Sequence, residues 1–339
     1  ITLAGNGVNY VVGSDAANTV TLGTGVDTVS TGKGDDTIVG MAGNNIIDTG
    51  AGGDTITVVT ATDIDTNDTI TGGTGTDTIN VSNTAGTMTL DDSSSIENIT
   101  VIDTVGGDDL TIVVSFTNAN SDAMTIDGSV LDAGEDLTVN MSDAEADGAY
   151  KITGGAGADT LTGSDGSDEI TGGAGRDSLT GDVGVDTFFF ATRADTSNTK
   201  LGADVDAAKI DAITDYAVAL DSISLGRGAN AFGTSLTFTS ATVVNVNTTV
   251  ALTADLADID ALMAAVEAAG AGVASTAATV QAVVVTVAAN AGLSGDFDTN
   301  SAGTYLIIND DTAAYSASDT IIDITGVTGA VVAADFIWI

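Results

Sequence analysis

A nine-residue repeat constrains this chain more than any other feature of its sequence. From Ala4 to Thr57 the residues divide into six consecutive nonapeptides without a change of phase. A further unit spans Gly72 to Asn80, and a second block of four units runs from Gly154 to Phe189. Self-similarity at a fixed short period indicates identical structural units that bury their apolar side chains by stacking, so the sequence predicts a solenoid.

Each position of the unit has its own chemistry. Glycines at alternate early positions permit left-handed turns and bring bare carbonyl groups close to an ion, and the sixth position, usually Asp, adds negative charge to the same turn. The residues that follow, as in Asp54-Thr55-Ile56-Thr57, form a short strand whose eighth-position side chain points inward. Two nonapeptides therefore predict one coil of a right-handed parallel β-solenoid, with ions between successive turns.

The composition indicates that these ions are cations. Asp and Glu together number 48 against 7 Lys and Arg, which gives a formal charge of −41. A charge of this sign repels nucleic acid and anionic lipid, so neither is an expected partner. The chain also has no His and no Cys, which excludes disulfides, imidazole or thiolate zinc sites and Ser–His or Cys–His catalysis. Dense carboxylates with backbone carbonyls favour Ca²⁺.

The candidate calcium ligands are the early glycines and the sixth-position Asp of the well-preserved units. Units with Asn9, Asn18 or Asn45 at the sixth position lack the carboxylate, and we expect weaker or empty sites there. A glycine-rich solenoid held by Asn and Thr ladders without ions is the alternative. In the first block the candidates are Gly23, Gly25, Asp27, Gly32, Gly34, Asp36, Gly50, Gly52, Asp54, Gly73, Gly75 and Asp77. In the second block they are Gly155, Gly157, Asp159, Gly166, Asp168, Gly173, Gly175, Asp177, Gly184 and Asp186.

These units resemble the RTX calcium-binding repeat family, whose unit is GGxGxDxUx. The resemblance covers about a third of the chain and implies an RTX β-roll that binds several Ca²⁺ ions. The stretch from Asp211 to Leu225 resembles the segment that follows such blocks in proteins exported by type I secretion. The last residues, Ala334 to Ile339, have the acid-then-hydrophobic character of the uncleaved signal of that route.

The pattern changes along the chain divide it into four predicted regions. The less regular strands between the two blocks favour solenoid coils with longer turns, and a separate small β domain is the alternative. The regions are a β-roll block at 1–80, irregular β-solenoid coils at 81–150, a second β-roll block at 151–190, and a C-terminal cap with the secretion signal at 191–339.

The fold class is therefore all-β dominated, with a β-rich C-terminal capping domain that contains one helix. That helix is predicted from Ala254 to Ala269, because Thr253 can cap it and Leu256, Ile259 and Leu262 lie on one face. The uncharged stretch from Ala268 to Gly295 is rich in Ala, Gly and Thr, and it predicts a strand with loops instead of a membrane span.

Two further acidic clusters have the spacing of half an EF-hand loop. They are Asp63, Asp65 and Asn67, and Asp296, Asp298 and Asn300. Both lack the required glycine and the final Glu, so an EF-hand is not expected. A looser calcium site and a solvated Asp-rich turn both remain open for them.

The chain shows no sequence motif of an enzyme. HExxH needs His, and no GxSxG nucleophile motif occurs, so we expect no catalytic activity. The composition and the mixture of good and degenerate repeats resemble RTX-containing bacterial surface-layer proteins. That resemblance implies a secreted, calcium-dependent structural protein that folds after export and self-assembles at the cell surface, with copies of itself and surface polysaccharide as partners. The alternative is the C-terminal portion of an RTX-type extracellular fibre or biofilm adhesin.

Overall fold

Short β-strands form almost all of the regular structure in the described residues. The computed structural model describes residues 1–3, 5–82, 85–90, 95–102, 109–114, 124–142, 149–190, 211–217, 220–225, 244–245, 282–287, 303–308, 320–324 and 336–338. Within these ranges there is one 3₁₀ turn, Ala61–Asp63, and no α-helix. The chain forms two compact units, one of Ile1–Ile170 with Gly181–Gly184 and the other of Thr171–Thr180 with Val185–Ile339.

The strands are two to six residues long and are numbered here in chain order. Those up to the start of the second unit are β1 Asn9–Val12, β2 Thr19–Thr21, β3 Asp27–Ser30, β4 Thr37–Val39, β5 Ile46–Ala51, β6 Thr55–Val58, β7 Thr69–Thr74, β8 Thr78–Ser82, β9 Gly86–Leu90, β10 Asn98–Ile102, β11 Leu110–Val114, β12 Thr125–Asp127, β13 Leu137–Asn140, β14 Lys151–Thr153, β15 Thr160–Thr162 and β16 Glu169–Thr171. The others are β17 Ser178–Thr180, β18 Thr187–Phe190, β19 Ala212–Ile213, β20 Ser222–Leu225, β21 Val244–Asn245, β22 Ala282–Val287, β23 Gly303–Ile308, β24 Thr320–Asp323 and β25 Phe336–Trp338.

Successive strands of the first unit alternate between sheets. The even-numbered strands pair in parallel in the order β2-β4-β6-β8-β10-β12-β14, and β16 follows β14. The odd-numbered strands form two parallel runs, β1-β3-β5-β7 and β9-β11-β13-β15. Ile38 pairs with Val20 on one side and Ile56 on the other, so one coil consists of two nonapeptides. The predicted parallel β-roll is confirmed.

The eighth-position side chains form the core. In the first block Val20, Ile38 and Ile56 are all buried, and their β-branched shape suits the pleated strand. Burying one such side chain contributes about 1.5–3 kcal/mol, and no coil can bury its own row without a neighbour. Flanking Thr side chains point outward, as at Thr37 and Thr55.

The strands of residues 81–150 continue the same pattern. Ile99 of β10 pairs with Ile79 of β8 and with Ile126 of β12, and Ile126 pairs with Ile152 of β14. All four isoleucines are buried. The coils of this stretch therefore stack on the first block in the same register.

The second unit changes from parallel to antiparallel pairing. β18, β20 and β25 are parallel, as are β17, β19 and β24. β22 pairs antiparallel with β23, and β23 antiparallel with β24. The predicted helix Ala254–Ala269 lies outside the described residues. Among the residues that are described, no helix has the length and apolarity to cross a bilayer.

Candidate metal sites

The sixth-position carboxylates stack in columns and bond to the main chain of the preceding coil. The amide of Asn18 donates to Oδ1 of Asp36 at 2.7 Å, and that of Asp36 donates to Oδ1 of Asp54 at 2.8 Å. The amide of Asp54 in turn donates to Oδ1 of Asp77 at 2.8 Å. We call this repeated contact the carboxylate ladder. One oxygen of each carboxylate is thereby fixed as part of the scaffold.

The second oxygen of these carboxylates is buried and has no hydrogen-bond donor. This holds for Oδ2 of Asp36, Asp54 and Asp77, and also for Oδ2 of Asp27, whose Oδ1 accepts from Nδ2 of Asn9. These four residues are at most 2% exposed. A buried carboxylate oxygen without a partner is strongly destabilising, so these atoms point to a cation that would satisfy them.

The units with Asn at the sixth position show which other atoms lie near the end of the sixth-position side chain. Nδ2 of Asn45 donates to the carbonyl oxygens of Met41 and Gly43, at 2.7 and 3.1 Å. Nδ2 of Asn18 likewise contacts the carbonyl oxygens of Ser14 and Ala16. The carbonyls of the second and fourth positions thus converge on the sixth side chain. An Asn satisfies them with its own hydrogens, whereas an Asp adds a further oxygen, and the resulting all-oxygen set fits Ca²⁺.

The predicted glycines serve two separate purposes. Gly73 has a left-handed φ of +106°, which glycine adopts without strain. Gly25 is not left-handed, but a Cβ on it would lie 1.9 Å from the carbonyl oxygen of Gly7 in the preceding coil. The glycines with left-handed φ are Gly32, Gly34, Gly50, Gly52, Gly73, Gly75, Gly173, Gly175 and Gly184, whereas Gly23, Gly25, Gly155, Gly157 and Gly166 are not left-handed.

In the second block two carboxylates bind main-chain amides with both oxygens. Asp159 accepts from Leu137 at 2.7 Å and from Gly155 at 2.6 Å. Asp168 accepts from Tyr150 at 2.9 Å and from the Ser164 amide at 2.7 Å. The carboxylates here hold the turn of their own unit as well as the coil before it.

The ladder in the second unit extends beyond the last nonapeptide. The amide of Asp177 donates to Oδ1 of Asp211 at 2.9 Å, across 34 residues of sequence. The amide of Asp186 donates to Oδ1 of Asp221 at 3.0 Å, across 35 residues. Both acceptors are buried. The C-terminal residues that resemble the post-repeat segment therefore occupy ladder positions.

The glycine-based motif missed several ladder residues. Asp68 accepts from the Asn45 amide at 2.7 Å, and Glu97 accepts from the Asp77 amide at 2.6 Å. Asp68, Asp211 and Asp221 are each followed by an outward residue and then a buried Ile, as in Asp68-Thr69-Ile70. This pattern of an Asp directly before a short strand could have identified the three residues without any glycine in the motif.

Burial makes the calcium-free carboxylates hard to ionise. It raises the pKa of Asp77 and of Asp159 to about 6. In Asp77 the negative charges of Asp54 and Glu97 add to the effect of burial. Burial also raises the pKa of Asp54, Asp68, Asp168 and Asp221. A bound cation would favour the charged form that burial disfavours.

In the described part of the chain no three acidic side chains converge on one point. Of the two EF-hand-like clusters, Asp65 accepts from the amide and side chain of Asn67, and Asp63 accepts from the Thr60 amide at 3.2 Å. These bonds are those of a solvated turn and a short cap. Asp296, Asp298 and Asn300 lie outside the described residues.

Comparison with known families agrees with this geometry. A profile of the RTX calcium-binding nonapeptide repeat matches residues 3–38, 21–56, 65–83 and 153–188. No curated protein and no solved structure matches the chain significantly. The matched stretches contain all of the predicted ligands, and repeats of this kind bind several calcium ions in each repeat region.

Proposed function

We propose that this chain, which carries RTX calcium-binding repeats, is a secreted structural protein that assembles with copies of itself into a layer at the cell surface. RTX repeat proteins are calcium-binding and typically extracellular. The observation that carries the proposal is the row of buried Oδ2 atoms in Asp27, Asp36, Asp54 and Asp77. Because the stacked coils bury charge that a bound cation would neutralise, we expect the folded form to be coupled to calcium.

This coupling suits export through a type I secretion channel. In a compartment poor in calcium the stacked carboxylates repel one another, so the unfolded chain is favoured. Outside the cell, calcium near 10⁻³ M matches the affinities of extracellular modules, about 10⁻⁴–10⁻³ M. If on the order of ten sites fill, the formal charge falls from −41 to roughly −21. Copies of the chain can then approach with far less repulsion.

An exposed apolar group on the first coils supports self-association. Tyr10 and Val12 of β1 are 76% and 63% exposed, and Ile46 of β5 is 53% exposed. Tyr10 and Ile46 lie in one cross-strand row, on either side of Thr28. Regular strand faces with exposed apolar side chains are surfaces that a second copy can cover. We further propose surface polysaccharide as the anchor of the layer.

The proposed role is structural and not catalytic. The chain has no His or Cys. Buried acids such as Asp36 and Asp54 accept a main-chain hydrogen bond in the ladder. Such carboxylates are held by the scaffold and are unsuited to exchange protons with a substrate.

Calcium titration with electron microscopy tests the proposal. Calcium is added to the chelated full chain while circular dichroism follows folding and negative-stain images follow assembly, with Mg²⁺ as the control cation. We expect calcium to produce strand structure and then ordered sheets, and a chelator to dissolve them. Filaments would favour the fibre or adhesin alternative. A folded monomer at millimolar calcium, or an assembly that survives chelation, would refute the layer.

A further inference from the structure

The first repeat block ends on a turn that the nonapeptide pattern does not describe. The three residues before β10 are Ser95, Ile96 and Glu97, and none is a glycine. The amides of Glu97 and Asn98 both donate to the carbonyl oxygen of Asp77, at 3.2 and 3.0 Å. This short turn therefore stacks directly on the last repeat turn of the block, Gly72 to Asp77.

Two oxygen atoms converge beside Gly72. A Cβ on Gly72 would lie 1.9 Å from the carbonyl oxygen of Ser95 and 2.5 Å from Oδ2 of Asp77. A complete pair of units in the second block has the same arrangement, where a Cβ on Gly163 would lie 2.5 Å from Oδ2 of Asp168 and 2.8 Å from the Gly181 carbonyl oxygen. The Ser95 carbonyl thus takes the place of a first-position glycine carbonyl.

The backbone of Ser95 is strained in order to reach that place. Its φ is +56°, and within the described residues only one other non-glycine residue, Asp182, has a positive φ. A left-handed conformation costs a residue with a Cβ roughly 1–2 kcal/mol. Strain of this kind persists where the surroundings require the conformation, and here the Ser95 carbonyl lies beside Gly72, where Oδ2 of Asp77 also lies.

Glu97 brings a second carboxylate to the same turn. Its Oε2 accepts the Asp77 amide at 2.6 Å, which is the bond that an Asp makes elsewhere in the ladder. Oδ2 of Asp77 is buried without a hydrogen-bond partner, and the residue is 1% exposed. Two like charges beside a main-chain oxygen, with one buried oxygen unsatisfied, form an arrangement that a divalent cation stabilises.

We propose that Asp77, the Ser95 carbonyl and Glu97 form a calcium site that closes the first block, with Glu in the place of the usual Asp. Calcium–oxygen distances of about 2.3–2.6 Å allow one ion to reach both converging oxygens. Ser95 and Glu97 lie outside the stretches matched by the repeat profile. The site joins the last repeat turn of the first block to β10, so calcium bound there fastens the block to the coils that follow.

Hydrogen exchange in the full chain during a calcium titration tests this site. The reporter is the segment 95–102, and the variant is Glu97→Gln, which keeps an acceptor for the Asp77 amide but removes the charge. The matched control is Glu169→Gln, because the Glu169 side chain is half-exposed and forms a surface ion pair with Lys151. We expect Glu97→Gln to raise the calcium midpoint of this segment by about tenfold and Glu169→Gln to leave it unchanged.

A purely structural Glu97 gives the opposite result. Removing its charge would then relieve repulsion with Asp77, so the calcium-free segment would gain protection and the midpoint would stay the same or fall. That outcome overturns the site. Ser95→Gly provides a second test, since it removes the left-handed strain while it keeps the carbonyl. It should lower the calcium midpoint of 95–102, and an unchanged midpoint would also count against the proposal.

Discussion

The backbone amide of Asp54 donates a hydrogen bond to Oδ1 of Asp77, which lies 23 residues later in the chain and one coil away. Oδ2 of the same carboxylate is buried without a hydrogen-bond donor. One side chain therefore both fixes the stacking of two coils and offers an oxygen to a cation. We therefore infer that folding and metal binding are coupled within single residues.

Asp54→Asn should reduce both the calcium requirement and the calcium capacity of the chain. The new Nδ2 can donate to the carbonyls of its own turn, as Nδ2 of Asn45 does to Met41 and Gly43. We expect the calcium-free variant to show more strand signal in circular dichroism and to bind one ion fewer in equilibrium dialysis. Asp48→Asn, at an exposed position of β5, makes the same charge change and should alter neither. Equal ion counts for the two variants would contradict this assignment.

Acid should partly replace calcium. Burial raises the pKa of Asp77 and of Asp159 from an ordinary 3.8 to about 6, so the folded state binds protons more readily than the unfolded state. The stability that protonated Asp77 and Asp159 contribute to the folded state is fully present below their pKa in the unfolded chain. It is lost as the pH rises through about 6, their pKa in the folded chain. We expect the metal-free protein to resist urea better at pH 5 than at pH 7.5. Greater stability at the higher pH would show that other groups control the transition.

Gly73→Ala should destabilise the first block even with calcium bound. Gly73 has a φ of +106°, and a Cβ there would lie 1.8 Å from the carbonyl oxygen of Gly50. The strain alone costs about 1–3 kcal/mol, and the backbone clash adds to it. Urea unfolding at saturating calcium should show a loss of about 3 kcal/mol or more. Gly134→Ala is the control, since nothing lies within 4 Å of its Cβ, and a comparable loss in both variants would refute the argument.

The coils that contain β12 to β14 should keep their structure without calcium. The residues that precede β12 and β14 are Met124 and Tyr150, and both side chains are buried. At the equivalent positions, β4 and β6 are preceded by Asp36 and Asp54. Leu137 likewise donates its amide to Asp159 from a ladder position without a carboxylate. After chelation, hydrogen exchange should leave β12 to β14 protected while β2 to β8 exchange. Uniform loss of protection would mean that these coils depend on their neighbours.

The sequence predicts the repeating coil of this fold better than it predicts which residues form the carboxylate ladder between coils. The nonapeptide phase identifies the strands, the inward isoleucines and the coil of two units, because all of these follow from local periodicity. Asp68 and Glu97 escape the motif because their turns contain no glycine pattern. Their role depends on which coils stack on each other. Coil length is not constant: 18 residues separate Asp36 from Asp54, and 23 separate Asn45 from Asp68. Local spacing cannot supply that register.

Each bond of the carboxylate ladder joins two neighbouring coils, whatever number of residues separates the two partners in the sequence. Asp36 and Asp54 are 18 residues apart and are joined at 2.8 Å, while Asp186 and Asp221 are 35 residues apart and are joined at 3.0 Å. Parallel strands keep a spacing of about 4.8 Å whatever the length of the loop between them. The spacing between paired strands is therefore independent of the number of residues that connect them. Insertions can change what the surface displays while the axial period that an ordered array would require stays constant.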